Sequence, residues 1–330
     1  MASDSLIGAV GTNLSPESKA LLQTVVGQIS GDAAVIKVGD STAVFGTDAG
    51  GAITGVLPAG NAPVVGDLRD TNFAVSVDLP ANVGISFRGP TTDVSVEKAA
   101  DYFNSLITQA FANAGSSPAV QAVKQSLDAA VDLVKNVAAA GSNTTVRYVE
   151  PTTGNQATAT GEVKIVGKGA SAEVVAINTG NMAPNQKLVI QDLEKVIIVN
   201  KADVVVSGTK AALVVGDNSN QKITGGQGAD TLVGGGGSDT LLGGAGKDTF
   251  GFVSGGDFVI GDLNPGQDKL AFNIKGVTTL QDLGKLVTKV EETSAGVKYT
   301  FGSAASITLV GVKGADITAD LITFKIEGDS

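Results

Sequence analysis

Between residues 225 and 251 one nine-residue phrase occurs three times in succession: GGQGADTLV, GGGGSDTLL and GGAGKDTFG. Each copy reads Gly-Gly-x-Gly-x-Asp-x-apolar-x. A flexible Gly-rich linker has no reason to hold an Asp and an apolar residue at fixed offsets through consecutive copies. The phrase therefore predicts a repeating structural unit. Its glycine half accepts backbone angles that a Cβ would forbid, so the chain can turn there. Asp230 then directs a carboxylate into the turn. Thr231, Leu232 and Val233 form a short strand with Leu232 facing inward, and Gly234 opens the next turn.

The nine-residue register extends beyond the glycines. Val196, Val205, Val214, Ile223, Leu232, Leu241, Phe250 and Val259 are all apolar and follow that spacing. A solenoid with one inward strand residue per half-coil produces it. The register predicts a continuous solenoid that begins near Lys195.

The phrase resembles the nonapeptide repeat of the RTX proteins, calcium-binding chains exported by type I secretion systems. The resemblance implies a parallel β-roll with two nonapeptides per coil and Ca2+ held between stacked turns by carboxylate and carbonyl oxygens. Calcium suits such a place because it takes about six to eight oxygen ligands in flexible geometry, whereas magnesium demands a tighter octahedron. Carried onto this chain, the metal-holding residues are Gly226, Gly228 and Asp230, then Gly235, Gly237 and Asp239, then Gly244, Gly246 and Asp248. Asp230 is expected to stack with Asp248, and Asp239 with Asp257 of the divergent turn SGGDFV. Asp217 opens a degenerate copy with Gln221 in the Asp position, where a weak or absent site is expected. Asp262 and Asp268 lie in IGDLNPGQDKLAF, which resembles the segment that closes RTX rolls. The ending ITLVGVKGADITADLITF is similar to RTX C-terminal segments, which implies a cap on the roll and an export signal.

Composition narrows the function. The net charge is −10, and from Gly216 to Asp268 there are seven Asp against two Lys. Without a bound cation those carboxylates repel one another, so the roll is expected to order only in calcium. Three Arg and no basic stripe argue against a nucleic-acid partner. The chain has no Cys, hence no disulfide or thiolate metal site, which suits export through a channel in an unfolded state. It has no His, which removes His-based zinc proteases and Ser-His-Asp hydrolases. No apolar run reaches membrane-spanning length, so no membrane insertion is expected. The start MASDSLIGAVG lacks the basic and apolar regions of a secretory signal.

The fold class expected is mainly β with a helical hairpin. A mixed α/β N-terminal domain of unrecognised family (1–194) precedes an RTX β-roll (195–269) and a C-terminal cap with secretion signal (270–330). Ser15-Pro16 should start a helix that Gly31 stops. Phe73–Leu79 and Val83–Phe87 alternate as strands. Ser95 to Gly141 reads as the helical hairpin, and VRYVE, EVKIVG, AEVVAIN, KLVIQ and KVIIVN as strands. Leu280, Leu283, Leu286, Val287 and Val290 suggest a short helix. Residues 297–301 and 307–310 should pair as a hairpin. The stretch Leu6–Val10 either adds as a strand to another subunit or packs on its own domain.

These readings point to a secreted, non-enzymatic calcium-binding protein that folds outside the cell and self-assembles as a matrix or surface-layer subunit. Its partners would be copies of itself and the type I secretion machinery. The alternative is a secreted adhesin whose N-terminal domain binds a host surface or cell-surface polysaccharide.

Overall fold

The computed structural model describes residues 8, 10, 14–30, 33–38, 40–49, 51–60, 63–68, 75–90, 94–95, 98, 101–102, 131–133, 135, 143–153, 160–167, 173–200, 202–303 and 305–326. The chain divides into two compact units, one of Met1–Gln109 and Gly141–Leu193, the other of Ala110–Ala140 and Glu194–Ser330.

The first unit opens with helix α1 (Pro16–Gln28). Its start is capped as its residues dictate: the Ser15 hydroxyl accepts from the Ser18 amide at 3.1 Å, and Pro16 takes the first helical position. The helix stops at Ile29, two residues before Gly31, where the backbone turns extended. Leu22, Val25 and Val26 form one buried cluster with Val44 and Val56, and Val10 and Leu14 pack against it. Val10 is helical and packs on its own domain, and Leu6, Ile7 and Ala9 of the stretch Leu6–Val10 lie outside the described residues.

Among its described residues eleven strands follow in that unit: β1 (Ala34–Val38), β2 (Ser41–Thr47), β3 (Ile53–Leu57), β4 (Val64–Asp67), β5 (Ser76–Leu79), β6 (Gly84–Gly89), β7 (Val94–Ser95), β8 (Asn143–Thr152), β9 (Glu162–Val166), β10 (Glu173–Asn178) and β11 (Lys187–Gln191). They pair in the orders β1-β2-β3-β6-β8-β10 and β4-β5-β9-β11, with β7 on β8. Early pairs are antiparallel. The pairs β8 with β10 and β9 with β11 are parallel. Parallel winding is thus present before Lys195, where the sequence reading started it. Its coils join Thr145 to Glu173 and Glu162 to Lys187, spacings that no nine-residue period marks. The expected helical hairpin is corrected at Ser95, which ends strand β7 and pairs with Asn143 instead of capping a helix; the rest lies outside the described residues except for helical positions at Lys98, Asp101, Tyr102, Val131–Leu133 and Lys135.

The second unit is a two-sheet roll. Its strands are β12 (Lys195–Val199), β13 (Asp203–Ser207), β14 (Leu213–Val215), β15 (Lys222–Thr224), β16 (Thr231–Val233), β17 (Ser238–Leu242), β18 (Thr249–Phe252), β19 (Asp257–Ile260) and β20 (Lys269–Phe272). Helix α2 (Leu280–Leu286) and strands β21 (Val287–Thr293), β22 (Gly296–Phe301), β23 (Ala305–Val310) and β24 (Ile322–Thr323) complete it. Alternate strands stack in parallel: β12-β14-β16-β18-β20-β24 on one side and β13-β15-β17-β19-β23 on the other. The second side ends in the antiparallel strands β22 and β21. The hairpin of 297–301 with 307–310 therefore forms. Val287 and Val290 belong to a strand and not to the short helix, because α2 ends at Leu286.

The inner column of one sheet is Val196, Val214, Leu232, Phe250 and Leu270, each in ladder register with the next. The facing column is Val204, Ile223, Leu241, Ile260 and Leu309. All ten are buried, each contributing about 1.5–3 kcal/mol of burial against exposure. Val205 and Val259, which the nine-residue register placed inward, are not part of the core. The strand residues beside them take that role, because β13 and β19 each sit one residue out of step with the period. Val204 pairs with Ile223 and Leu241 with Ile260, so both coils are one residue longer than a nonapeptide pair. Val259 is 36% exposed as a result.

Candidate calcium centre

Every turn of the roll faces a turn of the next coil, and short glycine backbones let them touch. An amide of one turn donates to a carbonyl of the turn below: Gln227 to Gly208, Gly236 to Asp217 and Ala245 to Gly226, at 2.9–3.0 Å. Gly226, Gly228, Gly244 and Gly246 lie in one column of turns, and Gly235 and Gly237 in the other. The need for glycine is plainest at Gly246. Its φ is +140°, and a Cβ there would sit 2.1 Å from the Gly228 carbonyl oxygen. The stacked turns therefore present backbone oxygens at close range, the kind of ligand that calcium accepts.

The carboxylates are placed by the same stacking. One oxygen of Asp230 accepts from the Ala212 amide at 2.9 Å, of Asp239 from the Gln221 amide at 2.8 Å, and of Asp248 from the Asp230 amide at 2.9 Å. Each of these bonds spans eighteen residues, one coil of two nonapeptides. The other oxygen turns back toward the first glycine of its own phrase. It lies 2.8, 2.5 and 2.4 Å from where a Cβ would stand on Gly225, Gly234 and Gly243, respectively. In Asp230 that oxygen accepts from the Gly226 amide at 2.7 Å.

Asp239 differs. Its inner oxygen, Oδ2, is buried and has no hydrogen-bond partner. A buried carboxylate oxygen left so is costly unless a cation meets it. Burial pushes its carboxyl up to about 7, against the pull of the Gln221 amide and aided by Asp217. Burial likewise raises Asp248 to about 6, with Asp268, Asp230 and Asp262 adding repulsion. Among the described residues no group of three acidic side chains is placed to hold a metal by itself. Calcium therefore fits here only as a shared ligand of one or two carboxylates and the turn carbonyls. Asp230, Asp239 and Asp248 would supply charge, and the glycine turns neutral oxygens. The ion would neutralise the column and tie successive coils together.

These turns carry a known signature. Residues 215–250 match the family model of the RTX calcium-binding nonapeptide repeat, in four copies. This segment is an RTX calcium-binding repeat. No curated protein matches the chain. RTX repeats bind calcium, so calcium is the ligand of this roll, and the unpaired oxygen of Asp239 is consistent with that.

The family match includes the copy that Gln221 breaks. Gln221 is 3% exposed, and its Oε1 is buried without a hydrogen-bond partner. It stands 2.6 Å from the Cβ position of Gly216, the place that the inner Asp oxygen takes in the other three copies. Its side-chain amide donates to Asp217 and, at 3.1 Å, to the Asn200 carbonyl. Asp217 also accepts from the Asn200 and Ser219 amides, both at 2.8 Å. Gln221 thus offers a neutral oxygen in place of the missing charge.

One expectation about the RTX column is corrected. Asp257 does not stack with Asp239. It is exposed, pairs in register with Ser238, and accepts from the Ser306 hydroxyl at 2.6 Å. The reason is again the longer coil, which makes Asp257 the first residue of β19 instead of the last of a turn. The residue that continues the column above Asp248 is Asp268, absent from the nine-residue register. It is 4% exposed and accepts from the Asp248 amide at 3.0 Å and the Asn264 amide at 2.7 Å. This is the pattern of Asp230 shifted by a longer loop. Asp262 is exposed and accepts from the Gly243 and Gly244 amides at 2.7 and 2.9 Å, closing the turn below.

Proposed function

We propose that this protein is a secreted structural subunit that folds outside the cell on meeting calcium and then associates with copies of itself. Calcium-binding RTX repeats support the first half. Extracellular calcium modules bind at roughly 10⁻⁴–10⁻³ M, so such sites stay empty in a cell interior and fill outside it. Export of the unfolded chain by type I machinery is consistent with a roll whose buried carboxylates need the ion.

The observation that carries the second half is the open strands at the sheet margins. Among the described residues β1, β4 and β21 each have a pairing strand on one side only, with β1 and β4 lying against each other, and each exposes a valine: Val35 at 36%, Val65 at 65% and Val290 at 52%. An open edge with an apolar side chain is a template for pairing with another chain. Among the described residues no helix is long and apolar enough to cross a membrane. Electron microscopy and sedimentation of the pure protein in millimolar calcium and in chelator test the reading. Ordered multimers only in calcium are expected. A monomer at high protein concentration in calcium would reject it.

A further inference from the structure

The open edge of β21 has a sequence that is complementary to itself. The strand reads Val287-Thr288-Lys289-Val290-Glu291-Glu292-Thr293, and among the described residues it pairs with β22 on one side only. If two copies of this strand meet antiparallel about Val290, Lys289 of each falls opposite Glu291 of the other, and Val290 falls opposite Val290. Residues directly opposite in an antiparallel pair share a face, with Cβ atoms about 4.5–5.5 Å apart.

We propose that β21 is the contact through which two copies of this protein join, sheet edge to sheet edge, about a two-fold axis at Val290. The proposal rests on the self-association reading above and names its interface. Three observations carry it. First, Lys289 and Glu291 already lie on one face, with Nζ and Oε1 2.8 Å apart and side chains 63% and 43% exposed. A second copy turns that pair into a square of alternating charges, in which each lysine has a carboxylate beside it and another across. Secondly, Val290 is 52% exposed, and the two-fold axis covers it with its own equivalent. Thirdly, edge strands are ordinarily protected by a lysine that repels a second copy of itself. Here the glutamate two residues on converts that guard into an attractive pair for this one register. Slipping the register by two residues would place Lys289 opposite Lys289 or Glu291 opposite Glu291. The charges therefore select one alignment as well as permitting it. The contact is isologous, so it closes as a dimer.

Charge exchange tests it on the full chain in millimolar calcium, read by sedimentation velocity. K289E puts Glu opposite Glu at both positions, and E291K puts Lys opposite Lys. Each alone should weaken the pairing by roughly tenfold or more, since both cross-strand pairs change from attraction to repulsion. The doubly exchanged K289E/E291K restores opposite charges and should associate like the natural chain. An equimolar mixture of K289E with E291K should do so too, as a heterodimer. Both side chains are exposed, so circular dichroism in calcium should be the same for all variants. If the natural chain associates and the single exchanges do not alter its mass, association uses another edge and this proposal falls while self-assembly stands. A natural chain that stays monomeric overturns both.

Discussion

The amide of Asp230 donates to the carboxylate of Asp248 at 2.9 Å, across eighteen residues of chain. That bond makes each carboxylate of the column a structural support of the coil before it. We propose two duties for such a carboxylate, a hydrogen bond for the stack and a negative charge for the metal. Removing it should damage both.

Asp248→Ala is accordingly expected to raise the calcium concentration needed for folding by about tenfold or more, a loss of roughly 1.5–3 kcal/mol for a charged hydrogen bond. Asp268→Ala should have a similar effect, because it supports Asp248 in the same way. Asp257→Ala should leave the midpoint almost unmoved. Calcium titration followed by circular dichroism measures all three. An Asp257→Ala effect as large as that of Asp268→Ala would show that the longer coil has been misread.

Calcium removal should unfold the roll itself. Seven Asp and two Lys between Gly216 and Asp268 leave a net repulsion that only the ion offsets. At pH 8 chelator should abolish amide exchange protection in that span, and millimolar calcium should return it. Equal protection with and without calcium would contradict this.

The metal-free roll should respond to pH in the opposite sense from the calcium form. Asp239 and Asp248 titrate at about 7 and about 6 in the folded chain, against an ordinary 3.8. Between about pH 4 and 7 the folded state holds protons that the unfolded state has released, so its stability falls as pH rises. Calcium needs the deprotonated carboxylates, so its affinity rises through the same window and its binding at pH 6–7 releases protons. Circular dichroism in chelator at pH 5 and 8, with calcium titrations in weak buffer, reads both. A chelated roll with more β signal at pH 8 than at pH 5 would refute the assignment.

Glycine substitutions should separate stacking from simple flexibility. Gly246→Ala meets a positive φ and the Gly228 carbonyl, and should cost more than about 1–2 kcal/mol and weaken calcium binding. Gly284→Ala in α2 meets nothing within 4 Å and should stabilise by about 0.5–1 kcal/mol. Melting temperatures in saturating calcium give the comparison. A neutral Gly246→Ala would mean that the turns are not stacked as closely as described.

The nine-residue phrase was sufficient to specify turn, strand, carboxylate and inward leucine, because each is a local consequence of residue type at a fixed offset. The cap of α1, the strands from Asn143 to Val199 and the final hairpin are legible for the same reason. What the phrase could not specify is where a coil gains a residue. At Asp203–Ser207 and Asp257–Ile260 the ladder slips by one, and a strand's side-chain period of two then exchanges core for surface. Val204 and Ile260 thereby replace Val205 and Val259 inside, Asp257 leaves the carboxylate column, and Asp268 enters it from beyond the period. Gln221 is a further case, since the position of its carbonyl oxygen follows from the coil above and not from its own charge. Sequence alone determines that this chain winds and binds calcium, because periodic glycine and aspartate permit little else. Which carboxylates share a column is decided only by the hydrogen-bond register between coils, a property of residues eighteen to twenty apart that must be counted in space.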